Sequence, residues 1–506
     1  MAEETACRGT ASAPAPTLPL LLAHNTATRG EADAVVTPDA AISHGGLDRE
    51  SRAVAARLVA AGVGKGTRLG LLAPNGIEWV VVAAAAWRVG AVLVPLSTLA
   101  RPPELAALLR AAAVTHLVYA PSFRGRHYPD DVAAAAREAP ALRRAWTIDG
   151  LPGVAVDDAL VDALGDVVRP ADDLAVVFTS GSRGTPKGTI HTHGSALRAV
   201  AAGLADRGIG PDDRLYLPMP LFWTGGLAAG LLSALVAGAA LCTEADPEPG
   251  RTIGFLERAR VTLFRGWPDQ AERIAAHPRF ASADLSSLRP GSLPGVLPPS
   301  ARPAPGTRPN LFGMTETFGP YCGAPLDRDL PDAARGSCGR PFAGVEVRIV
   351  DGEIRVRGPN LMRAICGRTR DETFDADGFY PTGDLGRLDP TGHLWFLGRA
   401  DDMFKVRGAT VYPSEVEAAL RAVDGVREAH VTDVPAAGGE REVGALVVTD
   451  RPLRDVATGV RTRLSAFKVP TRWVVTASAD DVPLTPTAKV DTAALRDLLR
   501  AKGTTP

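Results

Sequence analysis

The residues with the clearest capacity for chemistry stand at positions 176–188. Val176, Val177 and Phe178 read as a buried strand that runs directly into Thr179-Ser180-Gly181-Ser182-Arg183-Gly184-Thr185-Pro186-Lys187-Gly188. Glycines at 181, 184 and 188 let backbone N–H groups turn toward an anion with no side chain in the way. The hydroxyls of Thr179, Ser180, Ser182 and Thr185 add donors, and Lys187 adds a cation. Such a loop suits a polyphosphate. It is not a Walker loop, because Pro186 precedes the lysine and Gly188 stands where a magnesium-binding Ser or Thr is required. The alternative is a flexible surface turn, which rarely combines these features after a buried strand. His191 and His193 follow the loop. Ser195 reads as the cap of the next helix, which places both histidines in its entry turn and assigns them no chemistry.

A loop of this kind needs a rigid frame, and the sequence supplies one. Apolar residues recur at helical spacing from Asp48 to Ala61, Gly62 and Gly64 stop the helix, and Arg68 to Ala73 reads as a buried strand. The pattern repeats with a helix over 79–89, a strand over 91–95, a helix over 104–113 and a strand over 116–119. Alternation of strand and helix predicts an α/β fold with largely parallel sheets. Beyond Arg335 the segments shorten and alternate, as in 345–350 and 353–356, which predicts a small, partly antiparallel β subdomain. After Arg399 a helix over 414–421, strands near 426–431 and 442–448 and a helix over 456–466 form a new α+β set. The expected organisation is therefore a large N-terminal domain over 1–400 and a small C-terminal domain over 401–506. Residues 1–30, rich in Ala, Pro and Thr, are expected to form a loose arm.

Composition narrows the function classes. Lys plus Arg number 56 against 57 Asp plus Glu, a formal charge of −1 with neither sign gathered into runs, which argues against a nucleic-acid binder. The five cysteines, Cys7, Cys242, Cys322, Cys338 and Cys366, form no CxxC pair and have no His at metal-ligand spacing, as expected of reduced thiols in the cytoplasm. Glu3 and Glu4 precede the short apolar run over 18–23, so a signal peptide's basic start is lacking. The uncharged stretch 222–243 is long enough to span a bilayer, but it is Ala- and Gly-rich and lacks flanking Lys or Arg. It reads as a buried helix running into a buried strand, with no membrane contact.

Further motifs follow the phosphate loop in a fixed order: Phe312-Gly313-Met314-Thr315-Glu316; Tyr380-Pro381-Thr382-Gly383-Asp384; Gly398-Arg399-Ala400-Asp401-Asp402 with Lys405, Gly408, Pro413 and Glu415; and the loop from Pro483 to Val490 around Lys489. From about residue 40 to the end, the chain resembles the superfamily of acyl-CoA synthetases, nonribosomal-peptide adenylation domains and beetle luciferases. The resemblance implies that Glu316 holds Mg²⁺, that Thr315 donates to the α-phosphate and that Phe312, beside Gly313, stacks on adenine. It implies that Asp384 and Arg399 hold the ribose and that Lys489 bridges the substrate carboxylate and the α-phosphate. Lys405 and Gly408 fall to the thiol step and its CoA channel, and Asp401 to the hinge. The acid pocket falls beside Phe222, Trp223, Gly225 and Gly226, where the two glycines leave room opposite the indole, with Trp267 and Met314 as further walls.

The resemblance thus implies an acid–thiol ligase that uses ATP, Mg²⁺ and coenzyme A, passes through acyl-AMP and releases AMP. Between Leu288 and Thr315 the chain departs from the family pattern. Pro298, Pro299, Pro303, Pro305 and Pro309 cannot sustain the helix that relatives carry there. Arg183 and Ala488 are lesser departures. Two alternatives therefore stay open: a ligase that takes a preformed acyl-adenylate, and a silent acyl or nucleotide binder, against which Glu316, Asp384, Arg399, Lys405 and Lys489 speak. A homodimer and a separate carrier protein as thiol donor also stay open.

Overall fold

The computed structural model describes residues 15–153, 157–179, 187–304, 306–400, 404–406, 409–436, 441–464, 466–485 and 489–505. The chain divides into two compact units, Met1–Glu346 with Arg357–Gly378, and Val347–Val356 with Phe379–Pro506.

The first unit is built on a seven-stranded sheet in the order Ala364–Ile365, Lys187–Thr192, Asp173–Thr179, Val92–Pro95, Arg68–Leu72, His116–Tyr119, Arg144–Thr147. From Asp173–Thr179 to Arg144–Thr147 every pairing is parallel. A parallel strand is covered on both faces and so reads as an unbroken apolar run. Leu69, Leu71, Leu93, Leu117, Val118 and the run 174–177 are fully buried. A second sheet runs Leu263–Phe264, Arg214–Tyr216, Ala240–Cys242, Asp33–Val36, Ala41–Ser43, parallel except at its last strand.

The connecting helices fall close to the sequence expectation, at His44–Ala60, Ile77–Arg88 and Pro102–Ala111. Each begins a little earlier than its apolar pattern, because the start is set by capping. Ser43 Oγ accepts from the Gly46 amide at 3.1 Å, and Pro102 occupies the first turn of its helix, where a missing N–H costs nothing. The stretch expected to run from buried helix to buried strand does so: a π-helix over Gly225–Leu232, an α-helix over Ser233–Ala237, a left-handed Gly238, then Ala240–Cys242. Among the described residues no helix is long and apolar enough to cross a membrane.

The N-terminal arm is a correction. Leu18–Arg29 is a helix that buries Leu18, Leu21, Leu22 and Asn25. That i, i+3, i+4, i+7 spacing is a core-facing stripe, and the Ala, Pro and Thr bias of its surroundings masks it. Between Leu288 and Thr315 the described residues hold no α-helix, as the prolines require, but 3-10 turns at Pro294–Val296 and Pro299–Ala301 and the short strand Phe312–Met314.

In the second unit, Glu346–Val350, Glu353–Arg357, Tyr380–Leu388 and Leu394–Arg399 form a four-stranded sheet, antiparallel at its last two pairings. Val426–Pro435, Arg441–Thr449 and Arg472–Thr476 form a three-stranded sheet, and the core around it holds the fully buried Trp473. Helices Pro413–Arg421, Leu453–Arg461 and Thr492–Lys502 complete this α+β set. The helix expected over 456–466 begins at Leu453 and ends at Arg461.

One charged contact joins helices His44–Ala60 and Ile77–Arg88. Buried Arg88 places Nη2 on the Asp48 carboxylate and donates from Nε to Ser51 Oγ at 2.8 Å. Asp48→Ala leaves that guanidinium buried without its carboxylate and should destabilise the first unit by about 3 kcal/mol. Urea denaturation checks this, and Asp48→Ala combined with Arg88→Met should regain much of the loss.

Candidate active site

Strands Asp173–Thr179 and Lys187–Thr192 form an antiparallel hairpin that aligns Thr179 with Lys187 and Phe178 with Gly188. The two ends of the phosphate loop are thus held together by a buried ladder. Its middle, with Ser180, Gly181, Ser182, Gly184 and Thr185, lies outside the described residues. A side chain at Gly188 would meet Val176 at 2.9 Å and Cys366 Sγ at 3.1 Å, so the strand needs glycine there to pack.

The segment carrying Thr315 and Glu316 is shaped by a tight hairpin of Phe312–Met314 with Gly319–Gly323. A Cβ on Gly313 would stand 2.2 Å from the Gly319 carbonyl oxygen, so only glycine allows the two strands to approach. The turn between them, Thr315–Thr317, closes on Phe318, whose φ of 54° is in the left-handed region. Phe312 meets Tyr321 edge-on with centroids 5.5 Å apart.

Two side chains from elsewhere in the first unit fix Thr315. His191 Nε2 donates to the Thr315 carbonyl at 2.8 Å, and the Thr224 hydroxyl donates to Thr315 Oγ1 at 2.9 Å. With the proton of the neutral ring on the donating Nε2, Nδ1 is the unprotonated nitrogen of His191. The His191 ring also packs on Phe318, with centroids 4.6 Å apart. A residue given no chemistry from sequence thus positions one that was. Its full burial in the strand after the phosphate loop was the available signal. The helix that follows is capped by Thr192 rather than Ser195. The Ser195 amide donates to Thr192 Oγ1 at 3.1 Å, and the Thr192 amide donates to Ser195 Oγ at 3.1 Å.

Beside Thr224 lies a run of aromatic rings. Phe222 meets Trp223 edge-on at 5.6 Å, and Trp223 meets Trp267 edge-on at 5.9 Å. Both indoles are half-buried, as is Met314. Gly225 and Gly226 do not leave the open space expected of them. A Cβ on Gly225 would lie 2.7 Å from Met219 Sδ, and one on Gly226 2.1 Å from the Pro220 carbonyl oxygen. Their role is to admit the neighbouring chain at the start of the π-helix, a turn type often found at functional sites.

In the second unit Asp384 and Arg399 face each other on paired strands, with Arg399 Nη1 2.7 Å from Asp384 Oδ1. Gly383 adopts φ 72° and donates its amide to Glu353 Oε1 at 3.0 Å, which turns the strand at the preceding position. Lys489 is exposed on a tight loop. The Thr485 amide donates to the Lys489 carbonyl at 2.7 Å, and the Lys489 amide donates to Thr485 Oγ1 at 3.2 Å. Asp401, Gly408 and the side chain of Lys405 lie outside the described residues.

The description "AMP-binding enzyme" fits the family model that matches residues 22–365. The chain belongs to that family. It is 34% identical over 475 residues, 88% of this chain and 91% of the relative, to 3-[(3aS,4S,7aS)-7a-methyl-1,5-dioxo-octahydro-1H-inden-4-yl]propanoyl:CoA ligase of Mycobacterium tuberculosis. It is 32% identical to feruloyl-CoA synthase of an Amycolatopsis species, over 89% of this chain and 94% of the relative. Among solved structures, ATP-bound MatB from Rhodopseudomonas palustris matches with a TM-score of 0.78 at 25% identity, over 95% of this chain and 98% of that one.

In this AMP-binding enzyme Glu316, buried in the turn Thr315–Thr317, is a carboxylate that could take a divalent ion. Among the described residues no cluster of three His, Cys, Asp or Glu side chains could hold a metal. A single carboxylate fits a Mg²⁺ that arrives with a nucleotide's phosphates rather than one caged by protein.

The histidines of this AMP-binding enzyme make its stability depend on pH. Burial lowers His191 from 6.5 to about 3 and His193 to about 4. Between those limits the unfolded chain binds protons that the folded one does not, so stability is full above pH 6.5 and falls as pH drops. The slope contributed should approach about 2.7 kcal/mol per pH unit once both histidines are charged in the unfolded chain. Urea midpoints at pH 7.5, 6 and 5 measure it, and His191→Gln should remove about half of that contribution; an unchanged slope would sink the assignment.

Proposed function

We propose that this protein is an acid–thiol ligase that makes an acyl-CoA in two steps. In the first, a carboxylate oxygen of the substrate attacks the α-phosphorus of ATP, the bond to pyrophosphate breaks, and acyl-AMP forms. In the second, the CoA thiolate attacks the acyl carbon, the bond to the phosphate oxygen breaks, and AMP leaves; the thiol proton passes to water. A carboxylate resists a nucleophile because its charge is delocalised over two oxygens, and the mixed anhydride removes that obstacle.

The observation that carries this reading is the way Thr315 is held. Its Oγ1 lies 2.9 Å from the Thr224 hydroxyl, and His191 pins the backbone that aims it. A donor held in place before the reaction stabilises charge on an α-phosphate without reorganising. Thr179, Lys187, Gly188 and the loop between them take the remaining phosphates, and Glu316 is the residue that would hold Mg²⁺, which neutralises phosphate charge when bound. Phe312 stacks on adenine, and Asp384 with Arg399 takes the ribose. Lys489 serves the first step, and Lys405 and Gly408 the second.

Phe222, Trp223, Trp267 and Met314 line the acid pocket in this reading. Ring-bearing acids are the class in keeping with the aromatic run and with the names of the two curated relatives. We place the enzyme in the cytoplasm, in keeping with the unbridged thiols of Cys242, Cys322 and Cys366. One observation favours a second reading. The helix-free segment over 288–315 alters a wall that relatives build around the nucleotide, which suits an enzyme that receives acyl-AMP ready-made.

Lys489→Ala should cut acyl-AMP formation, followed by ATP–pyrophosphate exchange, by at least about 100-fold. Thioester formation from synthetic acyl-AMP and CoA should stay largely intact. Equal loss of both, with circular dichroism unchanged, counts against the role of Lys489. A wild-type enzyme that makes thioester from acyl-AMP but supports no exchange with any acid establishes the second reading.

Lys489 and the thiol cannot both occupy the acyl carbon. A hinge at Asp401, where the C-terminal domain over 401–506 begins in this reading, resolves the conflict. Asp401→Pro fixes φ near −65° and should abolish thioester formation while exchange survives. Wild-type thioester rates in a folded variant would exclude this hinge.

A further inference from the structure

A cavity of about 590 Å³ lies in the first unit beside the hairpin that carries Thr315. Leu311 and Pro320, which lie next in the chain to Phe312 and Gly319, form part of its wall, and Met219 forms another part. Met219 is the residue whose sulfur fills the space beside Gly225, and Gly266, also in the wall, adjoins Trp267. Chain neighbours of Trp267 and Phe312, together with Met219 beside Gly225, therefore bring the cavity up to the proposed acid pocket on two sides. Most of its lining is Pro, Gly, Ala and Leu, yet it also presents Arg207, Arg265 and Arg308 and no Asp or Glu among the described residues.

The three arginines differ in how their charge is met. Arg308 stands 3.2 Å from the Asp329 carboxylate. Arg207 is buried and donates from Nε to the Gly203 carbonyl at 3.1 Å, from Nη2 to the Val200 carbonyl at 2.8 Å and from Nη1 to Ser233 Oγ at 2.7 Å. Those acceptors are neutral. Arg265 donates from Nη2 to the Arg207 carbonyl at 2.7 Å, and among the described residues Nε and Nη1 have no partner. Asp213 is an electrostatic neighbour of Arg265, but both of its oxygens are taken by Arg289, at 2.9 and 2.6 Å. Burial lowers the pKa of both guanidiniums, to about 10 for Arg207 and about 9 for Arg265, and both stay charged at neutral pH. Two cations in an apolar wall without a carboxylate are costly unless something else meets them.

We propose that this cavity receives the far end of the acid substrate and that Arg265, backed by Arg207, binds a second carboxylate there. This rests on the ligase reading above, since it names the class of acid: one with a carboxylate at each end, of which the enzyme activates the end nearer Thr315. With one of its five N–H groups on the Arg207 carbonyl, the Arg265 guanidinium keeps donors enough to grip a carboxylate through paired hydrogen bonds, whereas a terminal methyl gains nothing from it. The charge left inside the wall becomes the specificity device, because an acid lacking the second anion must enter against an unpaired cation.

The test is a matched panel of ring-bearing acids that carry at the far end a carboxylate, a ketone or a methyl group. Wild-type enzyme should favour the dicarboxylate in kcat/KM by at least 10-fold over both partners. Arg265→Met should erase that preference, chiefly through KM, and Arg265→Lys should restore part of it. Arg265 is chosen over Arg207 because the latter's three bonds tie its own turn to the end of helix His193–Ala202 and to Ser233 at the start of another helix. Calorimetric titration of the same acids, without ATP or CoA, reads the site even if no turnover is found: tighter binding of the dicarboxylate, lost in Arg265→Met, supports the proposal. A preference for the ketone or methyl acid in either measurement, or an equal response of all three acids to Arg265→Met with the fold preserved, overturns it. Failure of every acid in exchange and thioester assays, with the binding preference intact, sinks the ligase reading and leaves the anion site standing.

Discussion

The chemistry proposed for this molecule depends on one close approach of backbone to backbone. Gly313 lies against the Gly319 carbonyl at a distance that excludes any Cβ, and only because of this can the hairpin close around Thr315–Thr317. The turn pushes Phe318 into the left-handed region, where its ring covers His191. His191 in turn holds the Thr315 carbonyl. Take away the close approach and each later contact loses its geometry. The strain of a left-handed phenylalanine is of the kind usually found where a fold must present a particular group.

That arrangement suits a reaction whose main difficulty is charge. In the proposed reaction a carboxylate, a polyphosphate and a divalent ion must be brought together out of bulk water, with Lys187 at the loop and Glu316 beside Thr315 as the charges assigned to that task in the first unit. Neutral donors with fixed directions supply the rest. The buried histidine belongs to this scheme as a neutral group. At neutral pH it carries no charge to compete with the phosphates, and its value lies in the direction of a single N–H.

Much of the first unit could be read directly from the sequence. The parallel sheet announces itself in runs such as Leu174–Val177, because strands covered on both faces must be apolar throughout. The helices between them show a 3.6-residue period, and the membership in an adenylate-forming family was legible in five ordered motifs. What escaped were features that depend on contacts distant in sequence. His191 looked idle because its partner is 124 residues away. Gly225 and Gly226 looked like open space, since sequence does not reveal that Met219 and Pro220 fold back to fill it. The helix Leu18–Arg29 was hidden by its composition, although its apolar stripe was in plain view. Capping shifted helix starts by a few residues for a local reason, the choice between competing hydroxyls such as Thr192 and Ser195.

The segment from Leu288 to Thr315 unites these threads. Its prolines rule out a helix, and the chain instead runs as turns and extended pieces around the arginine-lined cavity, contributing Pro290, Leu293, Leu297 and Leu311 to the wall. A regular helix would satisfy its own backbone and present a smooth face to its neighbours. An irregular, proline-rich wall leaves recesses, and here the recess contains charge that no residue of the wall neutralises. The same sequence departure that casts doubt on the nucleotide side of the site therefore gives physical content to the acid side. A buried and a half-buried guanidinium whose hydrogen bonds reach only neutral acceptors are hard to explain as packing alone, because Met or Leu would fill the same volume at lower cost. They make sense when the missing counter-charge is delivered by the ligand, so that the folded protein holds part of its electrostatic balance open until substrate binds.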